Sequence, residues 1–304
     1  MTDSVSPPPA VGAIYDIGYR RYDGPRRGRS GAVRAIFGAG LRAAFGLGRP
    51  FRSKLWPFGA VVLALIPALI AVAIPALLNQ AAGPGASDFL QLFSYDNYLW
   101  NVGGILPIFL ASQAPELVVS DRRYQVLPLY FSRPIQHGDY LWSRLASLVV
   151  ALLALTLLPL LVFWLGTVLL DADILAALGD EAGALPGIVG SGLMFAVVLA
   201  AIGLAVSSYA ARRAYAAGAV IAVFLVGGAT GGILGAQGGA AAWAILLDPL
   251  AVLDGARDWL FGEPISESPA SASPLPLPVF GAAAAGYLVL SLAALAWRYR
   301  RSAS

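Results

Sequence analysis

The stretch SDRRYQVLPLYFSRPIQHGDYLWSR, Ser120–Arg144, is a polar island between two long apolar runs, and its reading decides the fold. Arg122, Arg123, Arg133 and Arg144 demand water. The runs on either side, about 98–119 and 145–170, each hold enough apolar residues for a helix through a ~30 Å hydrocarbon core. A short arginine-bearing segment fixed at both ends to membrane helices belongs on the cytoplasmic side of a bilayer. Its centre, Leu127–Phe131, is apolar enough to need a cover, which suits contact with a soluble partner.

Outward from this island the same alternation repeats. The 304 residues are 58% hydrophobic and only 12% charged, and mean hydropathy is +0.73, whereas soluble domains carry about 25% charge. The fold class expected is an all-α polytopic membrane protein. The strand alternation of an outer-membrane barrel is absent. With no cysteine and one histidine, His137, the chain has no disulfide, no thiolate metal site and no histidine cluster. A net charge of +3 is too small to argue for nucleic acid. The first long apolar run starts near Trp56, so no cleavable signal peptide is expected, since such peptides place their apolar core within about the first 15–30 residues.

Three parts are expected: a basic cytoplasmic tail (1–31), an interfacial amphipathic helix (32–54) and a six-helix transmembrane domain (55–304). In the tail, Tyr15, Tyr19 and Tyr22 alternate with arginines, which suits either a basic arm at an anionic leaflet or a folded clamp on a partner. From Val33 to Phe51, at about 100° per residue, Arg34, Arg42, Arg49 and Arg52 fall within about 80° of one another. Ile36, Phe37, Leu41, Leu47 and Phe51 spread over the opposite side, the pattern of a helix in the membrane interface, with Pro50 ending it. Spans are expected at about 56–78, 98–119, 145–170, 186–207, 215–234 and 278–297. Between the last two, Asp248-Pro249 looks like a helix start, and 240–261 is expected as one or two helices in the outer leaflet.

Charge sets the orientation. With the N-terminus inside and six spans, the inner segments 1–55, 120–144, 208–214 and 298–304 hold 19 of the 20 basic residues. The outer segments hold only Arg257, together with 11 of the 17 acidic ones. One span more or fewer would scramble this separation, so both termini are expected in the cytoplasm.

Catalytic patterns fail by elimination. A P-loop needs Gly-Lys-Ser/Thr, and the only lysine, Lys54, stands between Ser53 and Leu55. Glu116 is the one acidic residue within span sequence, close to Gln113 and Pro115. The plainer reading pairs it with Arg122 or Arg123; the other makes Gln113 and Glu116 a gate or cargo contact at the inner mouth of a pathway. Gly227, Gly228, Gly231, Gly232 and Gly235 permit close helix approach, within the bundle or between subunits. His137 is expected as a solvated loop residue.

The island itself contains more than a loop needs. Asp121-Arg122-Arg123 leaves one span, an apolar turn Val126-Leu127-Pro128-Leu129-Tyr130-Phe131 follows, and Ser132-Arg133-Pro134 precedes an aromatic re-entry at Tyr140. In these residues, and in Tyr15-Asp-Ile-Gly-Tyr-Arg-Arg-Tyr-Asp-Gly-Pro25, the chain resembles bacterial permease subunits of ABC-2 type exporters. It departs from them at Asp121, where many members carry glutamate, and at Gln136-His137, where many carry a second basic residue.

The resemblance implies an inner-membrane permease that binds no cofactor itself. It would pair with a second permease chain, alike or different, and engage two copies of an ATPase subunit that carry the ATP and Mg. Val126–Phe131 would then be the coupling helix, Asp121, Arg122 and Arg123 its polar anchors, and Arg133-Pro134 the turn after it. Two other readings stay open: an ion-coupled secondary transporter, and a membrane anchor or assembly protein that moves no cargo. Few internal charges tilt the cargo towards hydrophobic or amphiphilic molecules.

Overall fold

The computed structural model describes residues 24, 28–81, 94–123, 135–262, 268 and 270–301. Nearly all of these are helical, and no strand occurs among them. The helices are α1 (Gly28–Ala44), α2 (Arg52–Ala81), α3 (Tyr95–Val102), α4 (Ile105–Arg123), α5 (His137–Leu170), α6 (Ile174–Glu181), α7 (Leu185–Tyr209), α8 (Arg213–Gly235), α9 (Pro249–Phe261) and α10 (Leu277–Arg301). Short 3-10 segments, Ala182–Ala184 and Gly239–Leu247, precede α7 and α9.

Five helical stretches are long and apolar enough to cross a membrane: Arg52–Ile74, His137–Leu170, Ile174–Tyr209, Arg213–Gly235 and Leu277–Arg300. The 3-10 segment Gly239–Leu247 and α9, bent by 99° at Asp248, would make a sixth if taken as one span. The burial pattern needs a lipid solvent. On α2 the small residues Ala60, Ala64, Ala68 and Ala71 face the bundle, while Val62, Leu63, Ile66 and Leu69 are exposed. In water that helix would be inside out; in a bilayer, small residues at the contact let backbones approach while large ones meet lipid.

The expected second span is two helices. The backbone breaks at Gly103-Gly104, where the Gly103 N–H bonds to the Trp100 carbonyl at 3.0 Å, and α3 and α4 meet there. α4 is nearly enclosed: Leu106, Phe109, Leu110, Ala114, Leu117 and Val118 are all buried, with α1, α2, α5, α7 and α8 packed round it. Its four ionisable residues, Glu116, Asp121, Arg122 and Arg123, keep it out of the five strongly apolar stretches.

The interfacial helix is shorter than its pattern predicts. Gly46 (φ +62°) and Gly48 (φ +85°) take left-handed backbone conformations, which glycine adopts without penalty, so α1 ends at Ala44 before Pro50 is reached. Leu47 and Phe51 fall on the turn, and Arg52 opens α2. Ile36, Gly40 and Ala44, one turn apart, are the buried stripe of α1, laid against α5 and α4.

Residues 171–185, the outer segment between the third and fourth expected spans, form α6 and a 3-10 turn that run into α7. Asp173 starts α6 by accepting hydrogen bonds from the Leu175 and Ala176 amides at 3.1 and 3.2 Å. The expected start at Asp248-Pro249 is where α9 begins, with the Asp248 carboxylate accepting from the Leu250 amide at 2.9 Å. Both are caps that satisfy otherwise orphaned helix N–H groups. Gly227, Gly231 and Gly235 of α8 pack within the chain, whereas Gly232 faces open space: a methyl group at Gly227 would sit 2.5 Å from the Leu247 carbonyl oxygen.

Candidate functional site

Most of the sequence-predicted site residues fall in the interval between α4 and α5. Val126, Leu127, Pro128, Leu129, Tyr130, Phe131, Arg133 and Pro134 lie outside the described residues, as does the N-terminal tyrosine–arginine motif. The two ends of that interval are described, and both are tied to the bundle.

On the near side stands Asp121, two residues before the end of α4; on the far side are Tyr140 and Arg144, on the first two turns of α5. The Tyr140 hydroxyl donates to Asp121 Oδ2 at 2.7 Å, and the Arg144 guanidinium pairs with the same oxygen. Arg144 also lies over the Tyr140 ring, 5.5 Å from its centroid, within cation–π range. Tyr140 in turn meets Tyr299 of α10, ring centroids 5.8 Å apart. The Arg144 side chain is 5% exposed and that of Asp121 15%. A pair so far out of water is a firm joint, because deleting one partner strands the other charge at a cost of about 3–5 kcal/mol.

Arg122 turns to a different element. It donates to the carbonyl of Ser208 near the end of α7, and Nε of Arg298 on α10 reaches the same oxygen at 3.5 Å. The last carbonyls of a helix lack backbone partners and carry the negative end of its dipole, so arginines settle there. Arg123 is exposed. At the start of α5, Gln136 and Asp139 form a reciprocal capping box, and Arg29 of α1 donates to the Asp139 carboxylate at 2.8 Å. Ser147 of α5 donates to the Phe37 carbonyl of α1 at 2.9 Å.

Glu116 lies one turn deeper on α4. Its side chain is 3% exposed and pairs with Arg49 from the α1–α2 turn and Arg213 from the start of α8. The expected partners, Arg122 and Arg123, are not the ones found. Arg122 is committed to Ser208, and six residues along a helix put it on another face from Glu116. Gln113 is buried and donates to Ser112 at 3.0 Å, and Ser112 also accepts from the Trp56 indole at 2.8 Å. Glu116 therefore ties α4 to the α1–α2 turn and to α8, and Ser112, beside Gln113, ties it to α2.

These contacts gather the ends of α1, α4, α5, α7 and α10 and the start of α8 into one collar at the basic end of the bundle. What such a collar can do is mechanical. Its groups are paired arginines, carboxylates and tyrosines, and no group of three or more metal-ligating acidic or histidine side chains occurs among the described residues. His137 is not a loop residue: it is the first residue of α5 and half-buried.

A second polar cluster lies at the opposite end and is absent from the sequence-level list. Arg257 on α9 is fully buried and donates to Asp254 at 2.8 Å and Asp258 at 3.1 Å. The Ser268 hydroxyl donates to Asp258 at 3.2 Å. The signal was present as Asp254-x-x-Arg257-Asp258, which helical spacing places on one face, but three charges on an outer segment suggest a wet face rather than a buried one. Comparison with protein-family models and with curated proteins finds no match for the chain.

Proposed function

We propose that this chain is the transmembrane permease subunit of an ATP-driven exporter of the ABC-2 type. The observation that carries the reading is the Asp121–Tyr140–Arg144 joint. An interval that merely linked two helices would not need its ends locked to each other and, through Tyr299, to α10. A segment that receives a push does need this, because a mobile anchor would dissipate the displacement. Val126–Phe131 is the coupling helix in this reading, and Asp121, Arg122 and Arg123 are its anchors.

The chain then crosses the cytoplasmic membrane six times, by α2, α3–α4, α5, α7, α8 and α10, with both termini inside and the bent pair at Asp248 re-entrant in the outer leaflet. Two permease chains pair around a pathway. Two ATPase subunits bind ATP and Mg, hydrolyse the nucleotide and dock beneath; the permease itself hydrolyses nothing. Closure of the ATPases moves α4 and α5 as rigid bodies. Glu116, held by Arg49 and Arg213, resists separation of α4 from α8 and acts as an inner gate beside Gln113.

The test is purification of the chain with its neighbouring gene products, followed by reconstitution. A P-loop ATPase is expected to co-purify, and cargo movement is expected to require ATP. Transport that proceeds without nucleotide, or a complex with no ATPase, overturns the reading. An ion-coupled secondary transporter is the second reading, favoured by the buried Asp254–Arg257–Asp258 cluster. Such carriers place conserved-charge relays inside the bilayer. An uncoupler that abolishes transport at constant ATP would select it.

A further inference from the structure

Between the first turns of α5 and the last turns of α10 the bundle opens a groove of about 490 Å³. His137 and Arg300 stand at its rim, and Leu141, Leu292, Ala293 and Ala296 line it further in. The two helices run antiparallel here, so the rim residues lie at the same end. From Arg300 to Ala293 is seven residues, about 10 Å along a helix. Over that length the lining changes from basic and aromatic to wholly apolar. Trp142 and Trp297 are about half exposed on its flanks, as expected for side chains at a membrane–water boundary.

We infer that this groove binds one anionic phospholipid, its phosphate at Arg300 beside His137 and one acyl chain along Leu141, Leu292 and Ala296. Charge chooses the occupant. Arg300 stands at the rim, Arg298 and Arg301 share the last turn of α10 with it, and no acidic residue lines the groove among the described residues. A basic pocket between helices on the side facing an anionic leaflet selects acidic headgroups. The polarity gradient excludes a simple anion site, which would have no use for an apolar trough. Tyr299, whose ring meets that of Tyr140 at a tilt, lines the groove, so a bound lipid packs directly on the joint that anchors the interval 124–134. The inference rests on the proposed cytoplasmic placement of the end of α10 and is independent of the ATPase.

The experiment is native mass spectrometry of the full chain released from nanodiscs of equal phosphatidylglycerol and phosphatidylcholine. The wild type is expected to retain phosphatidylglycerol about five-fold over phosphatidylcholine, the effect of one basic residue at an anionic surface. R300Q is expected to retain both lipids equally, because the exposed arginine contributes selectivity and not fold. A293W, which fills the trough from an exposed position, is expected to lose both lipids while its helical circular dichroism stays unchanged. Inorganic phosphate is expected to leave the lipid in place. Equal retention by the wild type, a preference that survives R300Q, lipid retained by A293W, or displacement by inorganic phosphate overturns the inference. Orientation is read separately, from maleimide labelling of Ser302→Cys in intact cells. Labelling from outside would overturn the placement, while absence of lipid preference with inside labelling would overturn the lipid site alone.

Discussion

Asp121 is the residue on which the collar turns, because one carboxylate oxygen serves both Tyr140 and Arg144. Asp121→Asn keeps the shape and removes the carboxylate charge that the buried Arg144 pairs with. The expected loss is about 3 kcal/mol of stability, measured as a lower denaturation midpoint of the purified chain. Asp121→Glu, which keeps the carboxylate, is expected to retain most of it. Equal behaviour of the two variants would show that charge is not what the joint uses. The sequence showed that Asp121, Arg122 and Arg123 were polar and at a span end. It could not show that Asp121 and Arg122 leave α4 in different directions, one to α5 and the other to α7. Glu116 teaches the same lesson. Its partners Arg49 and Arg213 are 67 and 97 positions away, and pairing over such separations depends on which helices become neighbours.

At the scale of the element, two segments carry predictions. In the interval between α4 and α5, Leu127→Asp with Leu129→Asp places charge on the apolar turn. The pair is expected to uncouple ATP hydrolysis from transport while the chain still inserts, read as ATPase activity without cargo movement in vesicles. Unchanged transport removes the coupling role. On α8, Gly227→Val drives a side chain into the Leu247 carbonyl, whereas Gly232 meets nothing within 4 Å. Overpacking of this kind costs about 1–3 kcal/mol. Gly227→Val is therefore expected to lower thermal stability in detergent and Gly232→Val to leave it unchanged. Helix existence was legible from apolar run length, and the start of α9 from Asp248-Pro249, whereas α6 was not read from the sequence. The early end of α1 was not, since whether Gly46 and Gly48 turn left-handed or stay helical is settled by the packing of Arg49 against Glu116 and by the entry of α2.

For the whole molecule, the separation of 19 basic residues from one makes a topology that can be tested directly, because the natural chain has no cysteine. In intact cells an impermeant maleimide is expected to label Ala182→Cys, exposed in the turn before α7. Ser302→Cys is expected to label only after permeabilisation. The reverse pattern overturns the proposed orientation. The structure adds an asymmetry that the charge count hides. The basic end is cross-tied through six helix ends, while at the opposite end the ion pairs found among the described residues form one buried cluster on α9, Asp254–Arg257–Asp258. A displacement applied at the basic end would be carried by α4, α5 and α10 together.

By itself the sequence determined the solvent and the helices. Fifty-eight per cent hydrophobic residues in runs of membrane length leave no aqueous fold open to the chain, and hydropathy and caps act locally, within a few residues. Only the tertiary structure decided which charges meet. It broke the expected second span at Gly103-Gly104, enclosed α4, handed Glu116 to Arg49 and Arg213, and sank Arg257 between two aspartates. The physical reason is that a buried charge is tolerated only beside its opposite, and which opposite lies within reach is a property of packed helices and not of any one segment.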